Sequence, residues 1–157
     1  MAVSESFNAQ GSLLYIGTPT ATPTWTLIGD VRSWSGPSGA RTVIDATHMT
    51  SDAKEKRVGL ADEGQVTFET AFAPGNAGHI ALHAAKRTSN AIYPFRLILA
   101  DDEVEADRTI GRWSGFVLSL PVSIGVDALS TMPVTIEVTG RFWWSFEPGY
   151  DAAFPAV

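Results

Sequence analysis

Val31-Arg-Ser-Trp-Ser-Gly-Pro-Ser-Gly-Ala-Arg-Thr-Val-Ile-Asp-Ala-Thr-His48 and, after a short gap, Gly59-Leu-Ala-Asp-Glu-Gly-Gln-Val-Thr-Phe-Glu-Thr-Ala-Phe72 form the stretch that decides the fold. From Gln65 onward, Val66, Phe68, Thr70 and Phe72 alternate with Gln65, Thr67, Glu69 and Ala71. Side chains of a strand point alternately to its two faces, so this is a strand with one buried face. A polar segment from Thr47 to Glu63 separates it from the preceding strand-like run. That segment is too charged and too poor in glycine for a tight hairpin turn, and loops beyond about 12 to 15 residues in compact domains are usually functional or disordered. It is expected to contact a partner.

The same alternation continues downstream. Met132, Val134, Ile136 and Val138 oppose Thr131, Pro133, Thr135, Glu137 and Thr139, and Tyr93, Phe95, Leu97 and Leu99 oppose Pro94, Arg96 and Ile98. Ile110 to Leu120 reads as one long strand in which Gly111 and Gly115 leave room for a bulge or a close backbone approach. Shorter strands are expected at Leu13 to Gly17, Trp25 to Val31 and Thr42 to Thr47, about seven in all. Pro133 cannot donate to a ladder, which predicts an edge strand or a bulge there. The one helical signal runs from Asn76, an N-cap residue, to Lys86 and Arg87, whose charges complement the C-terminal end of the dipole. Ile80 and Ala84, with Ala77 and Ala81, would form its packing face. The expected fold is therefore mainly β: a β-sandwich or partial barrel of about seven strands with one flanking α-helix and a long loop. The chain reads as a single domain over residues 1–157, with an N-terminal arm (1–11), a core (12–140) and an aromatic C-terminal arm (141–157).

Composition narrows the function. The chain has 157 residues, enough for one domain with a sizeable core, and no cysteine, which excludes disulfides, thiolate metal sites and cysteine nucleophiles. Residues 1–10 carry neither a basic residue nor an apolar run, so no secretory leader is expected, and no window approaches a membrane span. A net charge of −6 argues against phosphate neutralisation as the mode of action, though a negative wall suits DNA that must slide past without sticking.

Catalytic signatures are weak. His79 and His83 stand at a spacing that can present two imidazoles to a metal, but no glutamate follows in the metalloprotease position, so a solvated or interfacial helix face is expected instead. Asp101, Asp102, Glu103, Glu105 and Asp107 do not follow the order of a calcium loop and read as a solvated hairpin tip. Gly36-Pro37-Ser38-Gly39 lacks the ending of a phosphate loop and reads as a turn between strands. No cofactor is called for. Phe142, Trp143, Trp144, Phe146, Tyr150 and Phe154 crowd the C-terminus; they either pack on the domain's own core or form an arm that docks on a neighbouring subunit.

Taken in order, Ser35-Gly36-Pro37-Ser38-Gly39, Thr42 to Thr47, a charged loop closing with Gly59-Leu60-Ala61-Asp62-Glu63-Gly64, the strand Gln65 to Phe72, the helix after Pro74 and the final Val134 to Gly140 resemble the tail tube (major tail) proteins of long-tailed bacteriophages and the related gene transfer agents. The likeness covers about Leu13 to Gly140, while the Trp-rich C-terminus departs from it. It implies a non-enzymatic structural subunit whose copies close into hexameric rings, the rings stacking into a hollow conduit through which DNA passes without specific binding. Its other partners would be the tape measure, tail tip and terminator proteins, and its place the tail of a virion or phage-like particle, with no membrane, after synthesis in the bacterial host cytoplasm. By the same likeness the stacking element between rings would be the loop holding Thr47, His48, Asp52, Lys54, Glu55, Lys56 and Arg57. Thr67, Glu69, Thr135 and Glu137 would line the lumen, and Phe142, Trp143, Trp144 and Phe146 would form the contact arm. The alternative is a ligand- or carbohydrate-binding β-sandwich that uses Trp113, Trp143 and Trp144 as stacking platforms; an enzyme ranks third.

Overall fold

A computed structural model of the chain describes residues 8–150. The readings made on residues 1–7 and 151–157, Phe154 among them, lie outside the described residues. Ten strands and one helix follow in the order β1 (Leu13–Gly17), β2 (Trp25–Ile28), β3 (Val31–Ser35), β4 (Ala40–Asp45), β5 (Lys56–Asp62), β6 (Gln65–Ala71), α1 (Ala77–Arg87), β7 (Tyr93–Ile98), β8 (Ile110–Ser119), β9 (Ser123–Gly125) and β10 (Ala128–Trp144). Eight strands form one antiparallel sheet ordered β2-β1-β7-β8-β10-β6-β3, with β9 added on β10, and β4 pairs with β5 in a separate ribbon. The two edge strands β2 and β3 are consecutive in sequence and joined only by Gly29 and Asp30, so the sheet must curl until its edges approach each other. The result is the β-sandwich expected from the sequence, open at the β2/β3 seam.

The single strand expected from Trp25 to Val31 is in fact two, broken where Asp30 takes φ +57°. β5 and β9 are the other additions to the expected seven. Pro133 does not sit on an edge strand, because β10 lies between β6 and β8. Nor is β10 bulged at Pro133, which keeps regular register with Glu69 of β6. Its missing donor is accommodated on the other side, where Pro133 falls opposite the Leu120–Val122 connection between β8 and β9, two residues before the register against β8 shifts between Thr135 and Ile136. Gly115 lets β8 approach β10 as the sequence suggests, since a Cβ there would lie 2.2 Å from the Glu137 carbonyl oxygen.

The core fills the concave side of the sheet with Leu14, Ile16, Val66, Phe68, Phe95, Trp113, Val134 and Ile136. Val66, Phe68, Phe95, Val134 and Ile136 are alternation residues read from the sequence, which does not single out Leu14, Ile16 and Trp113 as core. At its centre Phe95, Trp113 and Phe142 form a stack with centroid separations of 5.5 and 5.0 Å. Such pairs add about 0.5–1.5 kcal/mol each beyond the area they bury.

Helix α1 begins where Asn76 Oδ1 accepts from the amides of Gly78 and His79, and ends with Lys86 and Arg87 in its last turn. Its inward face differs from the one expected. Gly78, His79, Leu82 and Ala85 are buried, while Ile80 is 57% exposed. Two local causes rotate the helix. Gly78 lets it press on β2, where a Cβ would meet the Leu27 carbonyl oxygen at 2.3 Å. His79, buried rather than solvated, bridges two backbone groups: Nδ1 accepts from Ala73 N–H at 3.2 Å, which assigns the ring proton to Nε2, 3.0 Å from the Gly29 carbonyl. Gly78→Ala is expected to destabilise the subunit by about 1–3 kcal/mol through overpacking, although alanine in an open helix is favoured over glycine by about 1 kcal/mol. The midpoint of urea unfolding checks the sign.

Candidate functional site

The segment from Ala40 to Asp62, expected as a loop from Thr47 onward, is largely a β-ribbon. Its register pairs Ala40 with Asp62, Arg41 with Ala61, Val43 with Val58, Ile44 with Arg57 and Asp45 with Lys56. The loop proper is only residues 46–55, so Lys56 and Arg57 are strand residues. The ribbon stands off the sandwich: every residue of β4 is exposed, and in β5 only Gly59 is partly covered.

Short polar contacts close the tip. Thr47 N and Oγ1 both donate to Asp45 Oδ1, at 2.9 and 2.5 Å, and Thr47 Oγ1 in turn accepts from Glu55 N at 3.0 Å. These hydrogen bonds hold the Asp45 carboxyl below its ordinary pKa. Ser51 Oγ donates to Glu55 Oε1 at 3.0 Å, and His48 Nε2 lies 3.7 Å from Glu55 Oε2. Of the seven residues singled out in the sequence, Thr47, His48 and Glu55 are thus brought together, while Asp52 and Lys54 stay exposed in the loop and Lys56 and Arg57 are the exposed first residues of β5. The sequence reading missed Asp45, whose Asp-x-Thr spacing marks a turn that bonds its own backbone. It also missed the ribbon's apolar residues: Val43, Ile44, Met49, Val58 and Leu60 are all large, hydrophobic and exposed, Met49 and Leu60 almost fully.

The base of the ribbon is tied to β6. Gly36-Pro37-Ser38-Gly39 does join two strands, β3 and β4, and Ser38 pairs with Gln65 through its amide and its hydroxyl, each at 3.1 Å. Beside it a cleft of about 690 Å³ opens between the ribbon and the end of β10, bordered by Arg41, Glu63, Arg141, Trp144 and Glu147.

Thr67, Glu69, Thr135 and Glu137 share the convex face of the β6–β10 ladder, Thr67 directly opposite Thr135 and Gln65 opposite Glu137. Gln65 Nε2 donates to Glu137 Oε2 at 2.9 Å, and Arg32 stands 4.0 Å from Glu69. Farther along that face Arg96 and Arg112 are direct register partners. Burial, and then the like charge of Arg112, lower the Arg96 pKa from its ordinary value. Tyr15 and Trp25 lie within 5 Å of the Arg96 guanidinium and offset this repulsion by cation–π attraction.

The aromatic C-terminus divides. Strand β10 runs past Gly140 to Trp144, so the core does not stop at residue 140. Phe142 is 3% exposed in the subunit's own core and Trp144 packs against that core, which removes Phe142 from the contact arm. Trp143 is half-buried beneath Arg141, and Phe146, stacked on Trp144 at 6.0 Å, is 73% exposed. Trp113 is fully buried and cannot serve as a sugar platform. Both ring nitrogens of His79 are engaged by backbone, and among the described residues no cluster of three metal-ligating side chains forms. The acidic run ends in a 3-10 turn, Glu105–Asp107, with Asp101 Oδ1 accepting from Thr109 N and Asp102 Oδ1 from Val104 N. Its carboxylates order their own turn.

A curled β-sandwich, one capped helix and a projecting ribbon form a distinctive combination, and the model of the lambda-like phage tail tube family matches residues 5–148. The chain belongs to that family. It is a structural subunit of a phage-type tail tube, a tail component of a virion or phage-like particle. No curated protein matches the chain. Among solved structures, the tail tube subunit is similar to a chain of the PVC sheath-tube complex of an extracellular contractile injection system in its extended state. That match has TM-score 0.66 and 13% identity, over 90% of this chain and 93% of that one. It is similar to the SPP1 tail tube, with TM-score 0.65 and 14% identity over 88% and 78% of the two chains. The tail of an empty gene transfer agent particle, refined with C6 symmetry, gives TM-score 0.65 and 12% identity over 89% and 99%. At such identities these likenesses establish the fold. Among the described residues no helix is long and apolar enough to cross a membrane.

Proposed function

We propose that the subunit closes into hexameric rings that stack into a hollow conduit for DNA, with the β4–β5 ribbon as the stacking element, and that it has no catalytic role. The observation that carries this reading is the ribbon itself. A two-stranded hairpin alone is at best marginally stable in water, and this one exposes Val43, Ile44, Met49, Val58 and Leu60. Burying each such side chain against a neighbour is worth about 1.5–3 kcal/mol, which gives copies of the chain a reason to associate. The C6 symmetry of the similar gene transfer agent tail supports a ring of six. The net charge of −6 and the polar convex face of Thr67, Glu69, Thr135 and Glu137 suit a wall that DNA passes without sticking. Phe146 is the arm residue left free to meet a neighbour. The tape measure, tail tip and terminator proteins would bind the ends and interior of the tube, and assembly would follow synthesis in the host cytoplasm.

Electron microscopy of the purified, concentrated protein tests this. Six-fold rings and striated tubes are expected; persistent monomers, even with tail-tip proteins added, overturn the reading.

A further inference from the structure

We infer that the hairpin from Val122 to Leu129 is the receiving surface for the β4–β5 ribbon of a second copy, in the next ring. This rests on the stacking reading above and names the other half of the contact. Among the described residues, ten of the fifteen exposed large hydrophobic side chains fall on two elements. Five are on the ribbon. The other five, Leu118, Val122, Ile124, Val126 and Leu129, lie at the end of β8 and around the β9–β10 turn. Every residue from Pro121 to Leu129 is exposed, and Val126 stands wholly in solvent at 102%.

Position makes the two patches a matching pair. Both are attached to β10, at opposite ends. The β9–β10 turn opens directly into Ala128, whereas the ribbon base is tied to the far end, where Val138 N donates to the Gly64 carbonyl at 2.9 Å and Gly140 borders the same cleft as Ala40 and Asp62. At about 3.3 Å per residue, roughly 40 Å of strand contour separates Ala128 from Gly140. A stack that grows in one direction needs a head-to-tail contact between two different patches on opposite ends of the subunit. The chain supplies two such patches.

Charge and backbone agree with that pairing. Between Arg112 and Glu137 the only charged residue is Asp127, at the tip of the receiving hairpin. On the ribbon the Asp45 and Glu55 carboxylates are engaged within the tip, so among its charges from residue 46 to 57 that lack such a contact Lys54, Lys56 and Arg57 outnumber Asp52. Strand β9 is three residues long and pairs with β10 alone, so its outer edge can accept another strand.

Val126→Asp tests this in otherwise intact protein, because a residue so exposed leaves the fold and its melting temperature unchanged. Rings should persist while the concentration needed for stacking rises roughly tenfold or more, as an unpaired charge in an apolar contact demands. Stacking at the wild-type concentration overturns the inference, as does loss of the rings themselves, which would place the hairpin within the ring. The absence of cysteine allows a second test with Met49→Cys and Val126→Cys in one chain. Oxidation of its tubes should yield a ladder of linked subunits longer than a dimer, whereas either single variant stops at dimers. No ladder from intact tubes overturns the pairing. Wild-type protein run alongside separates the two readings: if it never stacks, both fail, and if it stacks together with Val126→Asp, only this one fails.

Discussion

A chain in which Arg41 is joined to Ala61 by an Asn-Gly turn is expected to fold as a stable subunit and to form no tubes. Arg41 and Ala61 are register partners across the ribbon, so a two-residue turn closes them in the favoured hairpin geometry. The excised residues 42–60 are held chiefly by one another, and almost all are exposed, so their loss should change the stability of the sandwich by less than about 1 kcal/mol. Assembly should suffer far more. If only two of the five apolar side chains are buried at each contact, about 3 kcal/mol or more is lost, roughly a hundredfold or greater weakening of each contact. Sedimentation and thermal melting of the same sample read both effects. Tubes at the wild-type concentration would refute the stacking role, and an unfolded subunit would refute the independence of the ribbon.

The largest effect on the subunit itself should come from Trp113→Ala. Trp113 has no exposed surface and lies between Phe95 and Phe142, with ring centroids 5.5 and 5.0 Å away. Removing a buried tryptophan typically costs about 3–5 kcal/mol through lost transfer energy and the cavity left behind. Since small domains are stable by only about 5–15 kcal/mol, that loss takes a large share of the subunit's stability and should lower its urea midpoint steeply. Phe146→Ala, at a site 73% exposed, is the control. Equal shifts in the urea midpoint for both variants would remove Trp113 from the centre of the core.

These two expectations sit on opposite sides of what the sequence could disclose. Trp113 obeys the alternation of its own strand, yet the sequence offered it as a sugar platform, because an aromatic's partners are not visible from its neighbours in the chain. Phe142 shows the same limit: the sequence left its terminal aromatic run as either core or arm, whereas three residues of β10, from Gly140 to Phe142, intervene where β8 supplies only Trp113, and that irregularity turns Phe142 inward. The ribbon was hidden for another reason. Its strands are exposed almost throughout, so Val58 and Leu60 stand among charged residues without the in-and-out contrast that burial imposes on β6 and β10. The exposed hairpin from Val122 to Leu129 was missed likewise.

By itself the sequence determined the strands with one buried face, the capped helix from Asn76 to Arg87 and the order of segments that marks a tail tube subunit. Period-two alternation and cap chemistry are local, and each is written in residues a few positions apart. Only the tertiary structure decided that β2 and β3 form the two edges of one curled sheet, that His79 and Gly78 face inward, and that two apolar hairpins leave opposite ends of β10. Those outcomes depend on which backbone groups and surfaces meet across tens of residues, where register and close approach, rather than local pattern, choose the arrangement.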